Sequence, residues 1–516
     1  VEICKLRLFL KLVAQVEEVD RIEPLPDIDF NIRAGNTLVG FANLEEVREA
    51  LVDVQTGQGR FAFGEEQDAL KRIEVKAADV QQLADMFRKK QLEYEGAVPS
   101  EDKERLQQEL KGLANELDQF LAALYGIKGE DKNFENRFKQ WKAGHQPFHW
   151  FSEFYGIMKS SGFNAIIGNP PYVEYERKDT KTKKSLKDQY QIKGYKTESC
   201  GNLYAFVLER LLKLKSLNGR CSMIVPLSGH STDRMEPLIK HFYANASTLH
   251  LVNISADAHP SILFPGVNFR LAIFFFVKNE RPTELYSTRY VKWFAEERPV
   301  LFDKLEFIKV LSKSNHIIPK ISTLLHQSII NKLLNQNGNL GTNHGEHITY
   351  YHNAPVHWIR AHPFIPYFHS ERDGEKISTQ LKPLRFNSHN KAMAASAVLC
   401  STLFYIWWIT TSDCYHLNNR EVYTFPIDLS NSEIVKKLAE IAGKLMDDFI
   451  TKSKRRVYNY KTSGRVEYDE FYPKLSKGII DEVDNVLANY YGFTHEELDF
   501  IINYDIKYRM GAETEV

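Results

Sequence analysis

Cysteine is scarce in this chain: five residues in 516 (Cys4, Cys200, Cys221, Cys400, Cys414), none in a CxxC pair. This excludes a zinc cluster built on paired cysteines. With no secretory leader visible, it reads as a reducing, cytoplasmic setting rather than a disulfide scaffold. Net charge is lacking too. The 67 Lys and Arg residues balance 67 Asp and Glu, so any affinity for a polyanion must come from local patches. Long apolar runs are missing: the longest, such as Leu271–Val277, fall far short of the roughly 20 residues that span a bilayer, so no membrane protein is expected. Disorder is not expected either, since 43% of residues are hydrophobic and 26% charged. The length exceeds what one core supports and predicts about two to four domains.

A capped beginning is also absent. Val1, Ile3, Leu6, Leu8, Leu10, Leu12 and Val13 form an apolar helical pattern that starts at the first residue with no capping side chain ahead of it. The expectation is a fragment whose N-terminal part lies outside these residues. What is present divides by composition. Residues 1–44 read as a helix, a Pro/Asp turn at 24–29 and a short strand ending at the turn Ala34, Gly35, Asn36. Residues 45–145 turn to Glu, Gln, Lys, Leu and Ala. There Leu106, Leu110, Leu113, Leu117, Phe120 and Leu124 are spaced as the seam of a helical hairpin packed on itself, or of a partner-binding zipper. Residues 146–285 alternate apolar strands (163–167, 221–226, 249–254 and Leu271–Val277) with the amphipathic helix Leu203–Leu214. That predicts an open, mainly parallel α/β sheet covered on both faces. Residues 286–430 are rich in His, Tyr, Trp and Phe without clean periodicity, and residues 431–516 return to helix at 431–452 and Lys477–Tyr491.

The sharpest chemical signal is Asn169-Pro170-Pro171-Tyr172, directly after the strand 163–167 and Gly168. Ligands in open α/β sheets sit at the C-terminal ends of strands. Two prolines fix φ and remove backbone donors, which holds the Pro170 carbonyl as an acceptor. The Asn169 amide oxygen is a second acceptor beside it. Together they suit the two hydrogens of an amino group on a planar system, and the Tyr172 ring can stack on that system. An amine conjugated to an aromatic ring is a poor nucleophile that needs such positioning and polarisation. The alternative is a Pro-rich turn with no further role.

Around these residues, FNAIIGNPPYVEYE resembles motif IV of the γ-class adenine-N6 DNA methyltransferases, and NLYAFVLERLLKLKSLNGRCSMIVP resembles their motifs V and VI. DIDFNIRAGNTLVGF resembles the motif III region of restriction–modification enzymes that fuse methylation and specificity (type IIG and relatives). DCYHLNNREVYTFPI resembles the close of their target-recognition domain, and YYGFTHEELDFIINYDIKYRMG resembles their tail. The resemblance implies a Rossmann-like methyltransferase sheet, incomplete at its N-terminus and interrupted by a helical insertion (45–145). A mixed α+β target-recognition domain (286–430) and a helical C-terminal region would follow. It implies that Asn169, Pro170, Pro171 and Tyr172 form the catalytic loop, and that S-adenosylmethionine is the cofactor, bordered by Asn36, Leu203 and Phe206. The same resemblance makes Phe264 the expected second aromatic wall of the base pocket, with Phe269 next. Asn36 could equally be a turn residue, and Leu203 and Phe206 could be core. The family's glycine-rich motif I, and the acidic residue that follows the next strand, do not occur in these residues; nor does a nuclease motif.

For DNA contacts, Arg177, Lys178, Lys181, Lys183, Lys184, Lys187, Lys193 and Lys196 are opposed only by Asp179, Asp188 and Glu198. Beside a base pocket this loop would meet phosphates, and otherwise it is solvated surface. Lys452, Lys454, Arg455, Arg456 and Lys461, with Tyr458 and Tyr460, could bind the DNA backbone or form a helix end with a flexible loop. His352, His357, His362, His369 and His389 lack zinc-ligand spacing, so no metal is expected.

The expected function is therefore methylation of adenine N6 in double-stranded DNA by a monomeric enzyme that flips the base. Its rivals are a specificity module without activity of its own and a protein-glutamine N5-methyltransferase.

Overall fold

The computed structural model describes residues 1–16, 32–56, 65–93, 100–129, 132–256, 262–264, 266–267, 269–277, 282–311, 317–341, 344–461 and 464–511. The Pro/Asp turn expected at 24–29 lies outside the described residues. The fold is mixed α/β and separates into two compact units. The first comprises Val1–Met223, Ala244–Ser247 and Phe276–Arg281; the second holds the rest.

In the first unit, apolar periodicity forms helices where it is regular. Glu2–Val13 is a helix with no buried residue. Glu65–Glu93 and Ser100–Leu124 pack against each other and against Leu44–Thr56. The leucine seam is internal: Leu106, Leu110, Leu113 and Leu117 are buried with Ile73, Ala77 and Val80 in a core that also takes in Trp141, Tyr175 and Phe206. The seam thus packs in the chain's own core instead of forming a partner zipper. The short strand expected before the turn Ala34, Gly35, Asn36 falls largely outside the described residues; at the turn itself, the backbone of Asn36 makes a single bridge to Pro147.

Strand β1 (Phe163–Gly168) starts after Gly162, whose φ of +106° and 2.4 Å clearance between a notional Cβ and the Leu214 carbonyl admit only glycine. β1 pairs in parallel with β2 (Lys215–Pro226), Gly168 opposite Met223. β2 begins six residues before the expected 221–226, because a bulge around Asn218 (φ +65°) lets Lys215 pair with Phe163 while Arg220 pairs with Ala165. The expectation of a fully covered strand also fails for β1. It lies at one end of the strand order, and Ile167 is 87% exposed.

In the second unit the strands lie in the order β4 (Leu271–Val277), β3 (Thr248–Ile254), β5 (Glu284–Val291), β6 (Ile308–Lys309). β3 and β5 are parallel, and β6 is antiparallel to β5. Two small sheets follow. One has the order β11 (Leu381–Phe386), β7 (His347–His352), β8 (Ala361–His362); the other, β10 (Gly374–Glu375), β9 (Phe368–Ser370), β13 (Gly464–Glu470), β12 (Lys454–Tyr460). Several of these strands have only two or three residues, too few to print a period. The helix Thr402–Thr411 is buried at every position, so it shows no amphipathic stripe either. Lys454–Tyr460, expected as a helix end with a flexible loop or as a backbone contact, is a regular strand paired along its whole length with β13. Among the described residues no single helix is long and apolar enough to cross a membrane.

Candidate active site

The Asn-Pro-Pro-Tyr loop leaves the C-terminal end of β1. Asn169 and Pro171 are exposed, Pro170 is buried and Tyr172 is half-buried. The Tyr172 hydroxyl donates to the Asn169 Oδ1 at 2.7 Å. An amide oxygen has two lone pairs, so it can accept a further hydrogen. Burial pushes the Tyr172 pKa up to about 12, which keeps the phenol protonated and donating. Its ring meets Tyr204 edge-on, with centroids 6.4 Å apart.

Beyond Tyr172 the chain is fastened to the helix Leu203–Leu214. The Leu203 amide donates to the Val173 carbonyl at 3.0 Å, and the Tyr175 amide to the Gly201 carbonyl at 2.8 Å. Asn202 caps the helix through Oδ1, and its Nδ2 donates to Glu174 Oε1 at 3.2 Å. Tyr175 is fully buried; its hydroxyl accepts from the Ile192 amide at 2.7 Å and its ring lies edge-on to Phe206 at 5.0 Å. The loop is therefore held by backbone bonds and by a buried ring, as positioning of a reacting group requires.

The residues expected beside a cofactor sit differently from one another. Asn36 is half-buried and acts as a turn residue: its amide donates to the Gln146 carbonyl at 2.8 Å, and its Oδ1 accepts from the Leu38 amide at 3.1 Å. Leu203 opens the helix and is half-buried. Phe206 is wholly enclosed between Tyr175 and Tyr195, so its ring is core. The segment bearing Asn36 is clamped by Arg210, which donates to Glu46 at 2.9 Å, to the Gly40 carbonyl at 3.2 Å and to the Tyr195 hydroxyl at 2.7 Å. Lys213 reaches Glu46 at 2.7 Å. Burial alone would raise the Glu46 pKa, but the Arg210 and Lys213 charges outweigh it and hold the carboxyl below its ordinary value. Phe264 and Phe269 belong to the second unit and are 42% and 50% exposed.

In the basic loop, Asp179 Oδ1 accepts from the amides of Lys181 (2.9 Å) and Thr182 (2.7 Å). Lys181, Lys183 and Lys184 are exposed. Lys187 instead meets Glu176 at 2.9 Å and Glu198 at 3.1 Å. On β12, Arg455 pairs with Asp469 at 2.6 Å and Arg456 with Glu470 at 2.8 Å. Sequence reasoning missed Glu174, Asn202, Tyr204, Arg210 and Glu46. Asn202 had a readable signal, a capping residue just ahead of an apolar helix. The Arg210–Glu46 pair, 164 residues apart, had none.

A mixed α/β fold of this kind is consistent with a methyltransferase. The chain belongs to the Eco57I restriction-modification methylase family, whose model matches residues 1–259, a span that contains the Asn-Pro-Pro-Tyr loop. Type II methyltransferase M.HincII of Haemophilus influenzae is 31% identical over 134 residues, 26% of this chain and 26% of that protein. The putative type II restriction enzyme and methyltransferase RM.MjaORFECS2P of Methanocaldococcus jannaschii is 30% identical over 204 residues, 33% of this chain and 17% of that protein. The chain thus matches about a quarter or less of the length of these relatives. Among solved structures, the type IIL restriction-modification enzyme MmeI in complex with DNA aligns at TM-score 0.37 and 11% identity, covering 67% of this chain and 57% of that one. The type IIG restriction endonuclease BpuSI aligns at TM-score 0.26 and 9% identity, covering 67% and 54%.

Proposed function

We propose that this chain carries the catalytic loop and the target-recognition part of an S-adenosylmethionine-dependent DNA methyltransferase acting on adenine N6. The observation that carries the reading is the fastened Asn169–Tyr172 loop at the end of β1. A flipped adenine would place its amino group between two acceptors, Asn169 Oδ1 and the Pro170 carbonyl, while the Tyr172 ring stacks on the base. Both N–H bonds are then directed at acceptors, which turns the nitrogen lone pair toward the incoming methyl carbon.

S-adenosylmethionine supplies that electrophilic methyl group. Of the residues expected beside it, Asn36 and Leu203 are only partly covered and suit its adenine end, whereas Phe206 is closed off in the core. The 516 residues contain no glycine-rich loop for its methionine end, so no step is assigned to residues there. In the same reading, residues 1–44 and 146–285 form a Rossmann-like methyltransferase sheet with residues 45–145 inserted. Residues 286–430 read the target sequence, residues 431–516 form the C-terminal region, and Phe264 and Phe269 face the flipped base. The basic side chains Lys181, Lys183, Lys184, Lys187, Arg455 and Arg456 meet phosphates of double-stranded DNA.

The test is methyl incorporation from labelled S-adenosylmethionine into duplex DNA, with the product identified as N6-methyladenine. Asn169→Ala should abolish incorporation and leave DNA binding within about twofold. Incorporation by Asn169→Ala at the unsubstituted rate, or methylcytosine as product, overturns the reading.

A further inference from the structure

A cavity of about 490 Å³ lies in the second unit, walled by β7 and β8 on one side and by β9, β12 and β13 on the other. Its volume is that of a small-molecule site. Its lining combines two kinds of group. Arg360, His352 and His362 supply nitrogen donors; Tyr367, Phe368, Tyr460, Tyr468 and Phe471 supply rings.

His352 is matched by the chain itself, its Nδ1 accepting from the Ala354 amide at 3.3 Å, whereas His362 and Arg360 are poorly matched. His362 is 2% exposed, and its Nδ1 is buried without a hydrogen-bond partner among the described residues. Phe471, Phe364 and Phe449 surround its ring, with centroids at 4.5, 5.2 and 5.9 Å, so no polar neighbour approaches from those sides. An unmatched buried polar atom costs free energy unless something else meets it. Arg360 is half-buried. The acidic group acting most strongly on it is Glu470, but that carboxylate is already held by Arg456 at 2.8 Å and by the Tyr472 hydroxyl. Asp469, the other acid in the lining, is held by Arg455 at 2.6 Å. Both carboxylates of the lining thus have their own guanidinium besides the Arg360 charge. Desolvation holds its pKa below the ordinary arginine value, and the same charge helps depress both histidines, His352 to about 4 and His362 to about 3, after desolvation. Arg360 thus shares the Glu470 charge with Arg456 and makes no ion pair of its own among the described residues, which leaves it able to meet an anion. The planar guanidinium fork matches phosphate oxygens two at a time.

The rings make the second half of the argument. Tyr460 is 52% exposed at the end of β12, and Tyr468 on β13 lies opposite Arg456, with the Tyr458 ring 6.3 Å from the first and 6.1 Å from the second. Tyr367 is already covered by the Arg455 guanidinium, 3.8 Å from its ring centroid. Ser378, Thr379 and Gln380 close the remaining wall with hydroxyl and amide groups. A site with a phosphate-type corner, aromatic walls and a hydrogen-bonding edge suits one ligand chemistry. We propose that this cavity binds a nucleotide, with its phosphate on Arg360 and His362 and its heterocycle against the tyrosine rings. The nucleotide comes either free or as part of a DNA strand. The proposal does not rest on the methyl-transfer reading, whose loop is in the other unit.

Calorimetric titration of the whole chain with each deoxynucleoside 5′-monophosphate, with the matching nucleosides, with inorganic phosphate and with a short duplex tests it. At least one monophosphate should bind, with its nucleoside tenfold or more weaker. Arg360→Gln should weaken the monophosphate at least tenfold, and Arg360→Lys, which keeps the charge but not the fork, less. Tyr460→Ala, on an exposed strand where folding is not at stake, should weaken the monophosphate severalfold and leave inorganic phosphate unchanged. If free nucleotides do not bind but Arg360→Gln and Tyr460→Ala both weaken the duplex, the nucleotide belongs to a strand. If nucleotides bind and duplex affinity is unmoved by these variants, it is a free one. Equal affinity for nucleoside and monophosphate, or no loss of any ligand in either variant, overturns the proposal.

Discussion

The Tyr172 hydroxyl donates to the Asn169 amide oxygen at 2.7 Å, so two members of one four-residue loop restrain each other. The bond fixes which face of the Asn169 amide points outward. It also leaves the amide one lone pair for a substrate amine.

Removing that restraint alone should slow methyl transfer without closing the site. Tyr172→Phe keeps the ring and loses one hydrogen bond, worth about 0.5–1.5 kcal/mol, so kcat should fall by up to about tenfold. Tyr172→Ala also removes the stacking ring and should cost at least ten times more. Steady-state methylation of duplex DNA by the two variants checks this; equal loss in both would show that the hydroxyl carries the whole effect.

The clamp beneath the Asn36 turn should govern stability. Glu46 is buried against Arg210, with side-chain exposures of 14% and 7%. Glu46→Gln leaves the guanidinium without its charge partner, and breaking a buried pair from one side costs about 3–5 kcal/mol. Urea unfolding should show that loss. A change under about 1 kcal/mol would mean the pair is effectively solvated.

His326 should set part of the acid limit. Its Nδ1 accepts from the Ser322 amide at 3.2 Å and its Nε2 meets the Thr410 hydroxyl at 2.9 Å, in a fully buried site. Desolvation holds its pKa down to about 3, from 6.5. A depressed histidine pKa means that the unfolded chain takes up the proton first. The contribution is whole above about pH 6.5 and declines as pH falls toward 3, by about 1.4 kcal/mol per unit. Unfolding free energies between pH 7 and pH 4 should fall less steeply in His326→Gln than in the unsubstituted chain; parallel curves would assign the acid limb to other groups.

The basic loop should show unequal lysines. Lys181, Lys183 and Lys184 are exposed, whereas Lys187 already has Glu176 and Glu198. Replacing the first three with Ala should weaken specific and random duplexes alike. The slope of log K against log salt should become shallower by about 0.9 for each phosphate no longer neutralised. Lys187→Ala should change the slope less. An unchanged slope in the triple variant returns the loop to solvated surface, and a weakened sequence preference would place base reading there instead.

Some of this was written in short stretches of sequence. Two adjacent prolines after an apolar run fix a rigid turn at a strand end, and the helix Leu203–Leu214 shows its capping Asn202 and its apolar spacing within a dozen residues. Local covalent and steric rules suffice for these, so the catalytic-loop candidate was legible before any coordinates. The rest depended on partners far apart in the chain. Phe206 has the spacing of either a pocket wall or a core ring, and only the packing of Tyr175 and Tyr195 around it made it core. Lys454–Tyr460 reads as a charged loop until β13 pairs with it and supplies Asp469 and Glu470 to its arginines. Glu46 finds Arg210 across 164 residues. The cavity around Arg360 gathers side chains from position 352 to position 471, so its lining exists only in three dimensions. A sequence states which groups a chain owns and what its near neighbours allow; burial and pairing decide which of those groups are already satisfied and which are left to meet a ligand.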